Sequence, residues 1–350
     1  MTASGLLEQF VPLGGKHCIT TALRQIFAYH GYPLSEELLF GLASGLSFLY
    51  LNSAAGPLIS GRTKVGAFEA KLAERLHITI RCRTCKDSAR AEETARRMLD
   101  GKEPVLVYVD MPYLPYWNLA QSSHFGGHAV VLCGYDREAR QFLVSDRDSE
   151  TQPVPTPGGP VGQAYHLVSY EALAKARASS YRPFPANNRF LSFSFAGYVA
   201  PGKAALRAAI RETCENMLAP PAHLLGVEGI AKFSRALRQW QRLSPETLRS
   251  AGMANYFQIS RDGGTGGGIF RQMYGDFLTE AAPLLEEERL AALGGQFGQT
   301  ARRWDAVAAG LRQLSRTGDT GLLPELSEAV AGLCAREQAL YTALLQVCDP

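Results

Sequence analysis

No stretch of the 350 residues is apolar for long enough to cross a bilayer. The nearest candidate, Leu38 to Leu51, is short and broken by Gly41 and Gly45. The first residues, Met1-Thr2-Ala3-Ser4-Gly5-Leu6-Leu7-Glu8, lack the basic segment and apolar core of a signal peptide. Strong charge of one sign is also missing. The 36 Lys and Arg against 33 Asp and Glu leave a formal charge of +3, and neither half forms a basic arm for nucleic acid. Cysteine is scarce, odd in number at seven and scattered, which argues for a reducing cytoplasm and against a disulfide framework. Cys82-Arg83-Thr84-Cys85 has the spacing of half a zinc site, but no second ligand pair follows, so no metal is expected. What remains is an ordinary globular composition, 46% apolar and 20% charged, long enough for two domains.

Against these absences one junction stands out. The loop Pro12-Leu13-Gly14-Gly15-Lys16 runs into His17-Cys18-Ile19-Thr20-Thr21, after which Ala22, Leu23, Ile26 and Phe27 fall at helical spacing. The spacing predicts a helix that stops near Gly31, with Cys18 among its first residues. Free N–H groups and the positive end of the dipole favour an anion there, so a thiol is pushed toward thiolate. Further along, His128 to Asp136 and Gln141 to Asp146 predict a hairpin that carries His128 and Asp146 side by side at one end. A thiol nucleophile needs an imidazole to take its proton and a carboxylate to fix the ring, and Cys18, His128 and Asp146 supply all three. His124 and Asp148 are the rivals. His124 lies in the loop before the strand; Asp148 shares the parity of Asp146 but falls past the strand end.

Elsewhere the chain reads as α+β up to about residue 200 and helical from 201 to 350, with Pro201-Gly202 as the junction. Ser35 caps a second helix that is expected to run on through Gly41 and Gly45 toward Phe48. Thr63 to Leu76 reads as an amphipathic helix with Val65, Phe68, Leu72 and Leu76 inward. Met111 to Asn118 carries two prolines and many rings, so Tyr116 and Trp117 are placed on a loop serving as lid or pocket wall. The glycine-rich run Gly263 to Gly268 suits closing a site, cradling a phosphate or joining two helices. Arg271 suits an anionic substrate group, or an ion pair with Asp276 or Glu280.

The cysteine at a helix start, with histidine and acid on a later hairpin, reproduces the layout of papain-like enzymes. The run from Gly15 to Gly31, with His128 to Asp136 and Val144-Ser145-Asp146, resembles the cysteine peptidase domains that trim leader peptides in bacterial ABC exporters. Closer still is the resemblance to the butirosin-biosynthesis protein H family. It is carried by His17-Cys18, by Gly41-Leu42-Ala43-Ser44-Gly45-Leu46-Ser47-Phe48-Leu49-Tyr50, by the hairpin, and by Gly264 to Arg271.

The resemblance implies a papain-like α+β catalytic domain over 1–200 and an all-α domain over 201–350. It implies a cysteine-dependent N-acyltransferase of antibiotic biosynthesis. Cys18 would take an acyl group from the pantetheine thioester of an acyl or peptidyl carrier protein, and an amine would remove it as an amide with His128 taking the proton. Substrate contacts are expected at Gly45, Phe48, Tyr50, Tyr116, Trp117, Thr265, Gly266 and Arg271. No cofactor is expected on the chain itself, since the phosphopantetheine arrives with its carrier protein. The partners implied are that carrier and a small-molecule amine, with no nucleic acid or membrane, the chain acting alone or as a homodimer. The Cys18 N–H should hold one side of the oxyanion, with Gln9 or His17 as second donor. Papain-like enzymes place a glutamine nearer the cysteine than Gln9 stands. A cysteine hydrolase and a non-catalytic carrier-binding scaffold are the competing readings.

Overall fold

The chain alternates helix and strand as far as Ser194 and is helical thereafter. A computed structural model describes residues 5–53, 56–64, 66–182 and 184–348; the first four residues of the segment read for a leader, and Val65, lie outside them. In chain order the elements are α1 (Cys18–Tyr29), α2 (Glu36–Leu42), β1 (Leu46–Ser53), β2 (Gly56–Arg62), α3 (Ala67–Arg75), β3 (Thr79–Arg83), α4 (Ser88–Asp100) and β4 (Val105–Val109). Then come β5 (His128–Asp136), β6 (Gln141–Ser145), β7 (Val154–Thr156), β8 (Gly159–Val161), β9 (His166–Ser169), α5 (Tyr170–Ala178) and β10 (Phe190–Ser194). The helical part comprises α6 (Lys203–Leu218), α7 (Gly226–Leu237), α8 (Pro245–Ile259), α9 (Arg271–Leu285), α10 (Glu288–Thr317) and α11 (Leu323–Cys348). No helix among the described residues is long and apolar enough to cross a membrane.

The chain divides into two compact units. The first comprises residues 1–36 and 77–198, the second 37–76 and 199–350. The chain passes from one unit to the other between residues 198 and 199, and residues 37–76 group with the C-terminal part.

In the first unit six antiparallel strands form one sheet in the order β3-β10-β4-β5-β6-β9. Every residue of β4 is buried, the mark of a strand covered on both faces. Val105, Val107 and Val109 join Ala95 and Leu99 of α4 and Leu173 and Ala176 of α5 in one core, with Val130 and Leu132 of β5. α1 packs on β5 and β4. It buries Ile19, Leu23, Ile26 and Phe27 completely, worth about 1.5–3 kcal/mol for each such side chain. That burial fixes the start of the helix, and with it Cys18, against the middle of the sheet.

The second unit is not purely helical, because the β1–β2 hairpin packs on α7 and α8 within it. The expected continuation of the second helix to Phe48 is therefore corrected. α2 stops at Leu42, Ser44 takes a positive φ of 46°, and the chain turns into a strand. Leu46, Phe48 and Tyr50 point inward at alternate positions while Ser47 and Leu49 are less buried, the period of two that a mostly apolar composition conceals. Gly41 and Gly45 serve packing. A β-carbon on Gly41 would stand 2.2 Å from the Phe277 ring, and one on Gly45 would stand 2.7 Å from Phe40.

Arg271, at the start of α9, is fully buried and paired with Glu337 of α11, not with Asp276 or Glu280. Its Nε and Nη2 donate to the two Glu337 oxygens at 2.9 and 2.7 Å, and its Nη1 donates to the carbonyls of Ser47 and Ile269. Trp304 Nε1 and Tyr341 OH complete the carboxylate's partners at 2.6 and 3.1 Å. Removing one member of such a pair strands the other charge in the interior. We expect Arg271→Ala to lower the unfolding free energy by about 3–5 kcal/mol, read as a shift of the denaturant midpoint; a shift within error would show the pair to be dispensable.

Candidate active site

The loop before α1 is held by one buried carboxylate. Glu36, 3% exposed, accepts the Lys16 N–H on Oε2 at 2.7 Å and the His17 N–H on Oε1 at 3.2 Å. The Thr20 and Thr21 hydroxyls donate to the same Oε1 at 2.7 and 2.8 Å. Gly15 makes this approach feasible, since a β-carbon there would lie 2.4 Å from Glu36 Oε2 and 2.1 Å from Thr21 Oγ1. His17 is the extended N-cap residue, and its side chain does not cap the helix, so Cys18 opens α1 beside uncapped N–H groups. Cys18 as a residue is only half-buried.

His128 begins β5 and Asp146 directly follows β6. The strand register pairs Val131 with Ser145, so by extension Asp148 would stand across from His128 and Asp146 on the diagonal. β6 ends at Ser145, however, and the carboxylate that reaches the ring is that of Asp146. His128 Nε2 lies 2.9 and 2.8 Å from its two oxygens. Nδ1 is therefore the nitrogen left for the sulfur, with which His128 shares a side-chain hydrogen bond. Three more donors hold the acid: Tyr116 OH at 2.8 Å, Trp117 Nε1 at 3.1 Å and the Arg147 N–H at 2.7 Å. Trp117 also meets His128 edge-on, with centroids 5.4 Å apart. The loop expected to be a lid or pocket wall is thus folded into two short 3-10 turns, and the rings of the second bond the acid.

The charges in this cluster reinforce one another. Burial by itself would raise the Cys18 pKa, but the neighbouring imidazoles of His17 and His128 hold it well below its ordinary 9.0. Burial likewise disfavours the imidazolium, yet Asp146 and the thiolate raise His128 from 6.5 to about 10. Asp146, despite its burial, is held down from 3.8 to about 2 by His128 and its donors. These directions together favour a thiolate–imidazolium pair as the resting state. Iodoacetamide alkylation of Cys18 should already be on its plateau at pH 7 and stay flat toward pH 9, where a plain thiol gains about tenfold per pH unit below its pKa. A rate still climbing through that range would refute the ion pair. Linkage adds a second signature. The stability from His128 is fully present below about pH 6.5 and is lost as pH rises through about 10. That from Asp146 is present above about pH 3.8 and is lost as pH falls through about 2.

Two comparisons with known proteins bear on this cluster. The family model for butirosin biosynthesis protein H, N-terminal, matches residues 17–147, from the residue before Cys18 to the residue after Asp146. A domain of unknown function, DUF4872, matches residues 171–344. The chain belongs to the butirosin biosynthesis protein H family. No curated protein matches it.

In this member of the butirosin biosynthesis protein H family the rival residues are engaged elsewhere. His124 bonds Asp110 at 2.8 Å and stacks on Tyr181 at 3.4 Å. Asp148 bonds His166 at 3.0 Å, and His166 stacks under the Tyr116 ring at 3.7 Å. Gln9 is exposed at a positive φ of 70°, with no hydrogen bond to Cys18 among the described residues.

The substrate contacts expected in the second unit are occupied within it. Phe48 is fully buried and stacks on Trp304 at 5.8 Å, and Tyr50 lies against Phe233. Thr265 is buried and donates to the Ile259 and Ser260 carbonyls at 2.7 and 3.0 Å. Gly266 and its neighbours are buried, and the Gly268 N–H is bonded to Asp305 at 2.8 Å. Their hydrogen bonds are spent on the fold of that unit, as are those of Arg271, and Gly45 is pressed against Phe40.

The residues that sequence reasoning missed are Glu36 and Thr20. Both read as ordinary helix-start residues. The close pair Gly14-Gly15 was the one signal that something must approach the loop backbone.

Proposed function

We propose that the first unit is a papain-like cysteine acyltransferase acting in antibiotic biosynthesis. It moves an acyl group from the thioester of an acyl or peptidyl carrier protein to an amine of a small-molecule acceptor. The observation that carries this reading is the half-buried Cys18 at a helix start, bonded to an imidazole whose far nitrogen is fixed by a clamped carboxylate. The family name contributes the biosynthetic setting.

Cys18 attacks the acyl carbon as thiolate, and its backbone N–H is the first donor to the oxyanion. Collapse breaks the carbon–sulfur bond to pantetheine, whose sulfur takes the proton held by His128. One thioester has replaced another, so the step is close to isoenergetic. The amine then attacks acyl-Cys18, His128 takes the proton lost from nitrogen, and Cys18 departs as thiolate beside the restored imidazolium. Amide formation from a thioester is downhill, so no ATP is required here.

The test is intact-mass detection of an acyl adduct after feeding an acyl-pantetheine, followed by its loss on adding candidate amines. An amide product supports transfer. Free acid with no dependence on amine would make the protein a hydrolase, and no adduct at all would leave a binding scaffold.

A further inference from the structure

A cleft of about 560 Å³ lies wholly within the second unit, beside the turn that leads into the glycine-rich run, and the mechanism above does not use it. We propose that this cleft binds a small phosphate ester, the phosphate held by Arg261, Arg312 and Arg316 and the organic part lying against Ser260 and two alanines. The amides of the glycine run are spent within the fold, so side chains and not backbone would hold the anion.

One wall is a face of α10, from which Asp305, Ala309, Arg312 and Arg316 line the cleft at helical spacing. Arg312 and Arg316 stand four residues apart, so two like charges share one helix face, which is unfavourable until an anion joins them. Neither is in an ion pair among the described residues, and Arg312 lies over the Tyr256 ring, 5.0 Å from its centroid. The facing wall is the end of α8 with the turn Arg261–Gly263. Arg261 has room there because Gly267 lacks a side chain: a β-carbon on it would stand 3.0 Å from Arg261 Nε. Ser260, 8% exposed, lines the same wall, and its buried hydroxyl has no hydrogen-bond partner among the described residues. The neighbouring Tyr256 phenol gives its proton to Asp262 instead. A ligand oxygen would satisfy the orphaned hydroxyl.

Two features would oppose an anion here, and both are countered. Helix C-termini carry negative dipole ends, but Arg249 donates to the Ser315 and Thr317 carbonyls of α10 at 3.2 and 2.9 Å. At the end of α8 the Thr265 hydroxyl donates to the Ile259 and Ser260 carbonyls. Asp305 is the one carboxylate lining the cleft; it stands two turns from Arg312, about 10 Å along the helix, and accepts the Gly268 N–H at 2.8 Å. Three guanidinium groups therefore face one carboxylate. Their planar forks match the oxygens of a phosphate, which brings more charge and more acceptors than a carboxylate. The cleft exceeds what a bare phosphate fills and falls within the range of about 300–1,000 Å³ for small-molecule sites, which leaves Ala308 and Ala309 to carry an organic part.

Titration calorimetry on the full chain tests this without any acyl donor, so its outcome is independent of the acyl-transfer reading. It compares 4′-phosphopantetheine with pantetheine, and AMP with adenosine, and uses inorganic phosphate as the bare anion. We expect at least one ester to bind about tenfold or more tightly than its dephosphorylated parent, with that advantage lost in Arg312→Gln/Arg316→Gln. Ser260→Ala should weaken the ester by a smaller factor. Melting curves and an unchanged rate of Cys18 alkylation confirm that the variants are folded. A preference for phosphopantetheine assigns the cleft to a carrier arm and a preference for AMP to a free nucleotide; either supports the proposal. Esters that bind no better than their parents overturn it, as does an ester bound equally well by the folded double variant. Should the double variant not fold, Arg316→Gln alone decides by the same comparison.

Discussion

Cys18→Ala should reduce acyl transfer by about five to six orders of magnitude and eliminate the acyl adduct, because no other group at this site can carry the acyl chain. Two of the remaining cysteines are poor substitutes. Cys133 and Cys214 are buried, and burial lifts their thiols to about 12 in the one and higher in the other, so neither is ionised near neutrality. Cys18→Ser should do little better than alanine: a hydroxyl in this position stays protonated, and His128 is already protonated and unable to act as its base. The variant should fold normally, since the first residue of α1 is half-exposed and alanine is the best helix former. Turnover and intact mass decide the matter together. Full turnover in folded Cys18→Ala would place the chemistry on another group altogether.

Cys18, His128 and Asp146 were legible in the sequence because each sits on a local pattern. Glycines mark the loop before Cys18, an apolar run marks β5, and the turn between β5 and β6 fixes which ends of the strands coincide. Choosing Asp146 over Asp148 depended on where β6 stops, since both have the right parity. What the sequence concealed were partners distant along the chain. Glu36 reads as a helix-start acid, and its burial among four donors appears only when the loop before α1 folds onto its carboxylate. Tyr116 and Trp117 read as lid or pocket wall because aromatic side chains on a proline-rich loop suit either; their polar ends reach the acid. The Gly41-to-Tyr50 run and Gly264 to Arg271 look like ligand-binding motifs for a related reason. Glycine at a close approach of backbone to a Phe277 ring cannot be told from glycine at a close approach to substrate until the neighbour is seen.

Asp146→Asn should lower transfer by about 10²–10⁴-fold, the range spanned by positioned proton transfer and by loss of the acid from a comparable triad. The substitution preserves shape. An amide oxygen in the same place still accepts from Tyr116 and Trp117, so the clamp survives. What is lost is the negative charge that holds His128 protonated up to about pH 10. With burial then unopposed on that side, the imidazole gives up its proton at lower pH, the thiolate loses its counter-charge, and the alkylation profile of Cys18 should move toward that of a plain thiol. The sign of the pH effect is thus specific: the asparagine variant should be most impaired near neutrality and recover part of its alkylation rate as pH rises toward 9. Asp148→Asn supplies the contrast, because that carboxylate serves His166 and reaches the site only through the stacked Tyr116 ring. Its effect should stay within about tenfold, with the alkylation profile unmoved. Equal losses in the two variants would mean that the site tolerates no nearby change at all, and that Asp146 has no special claim on His128.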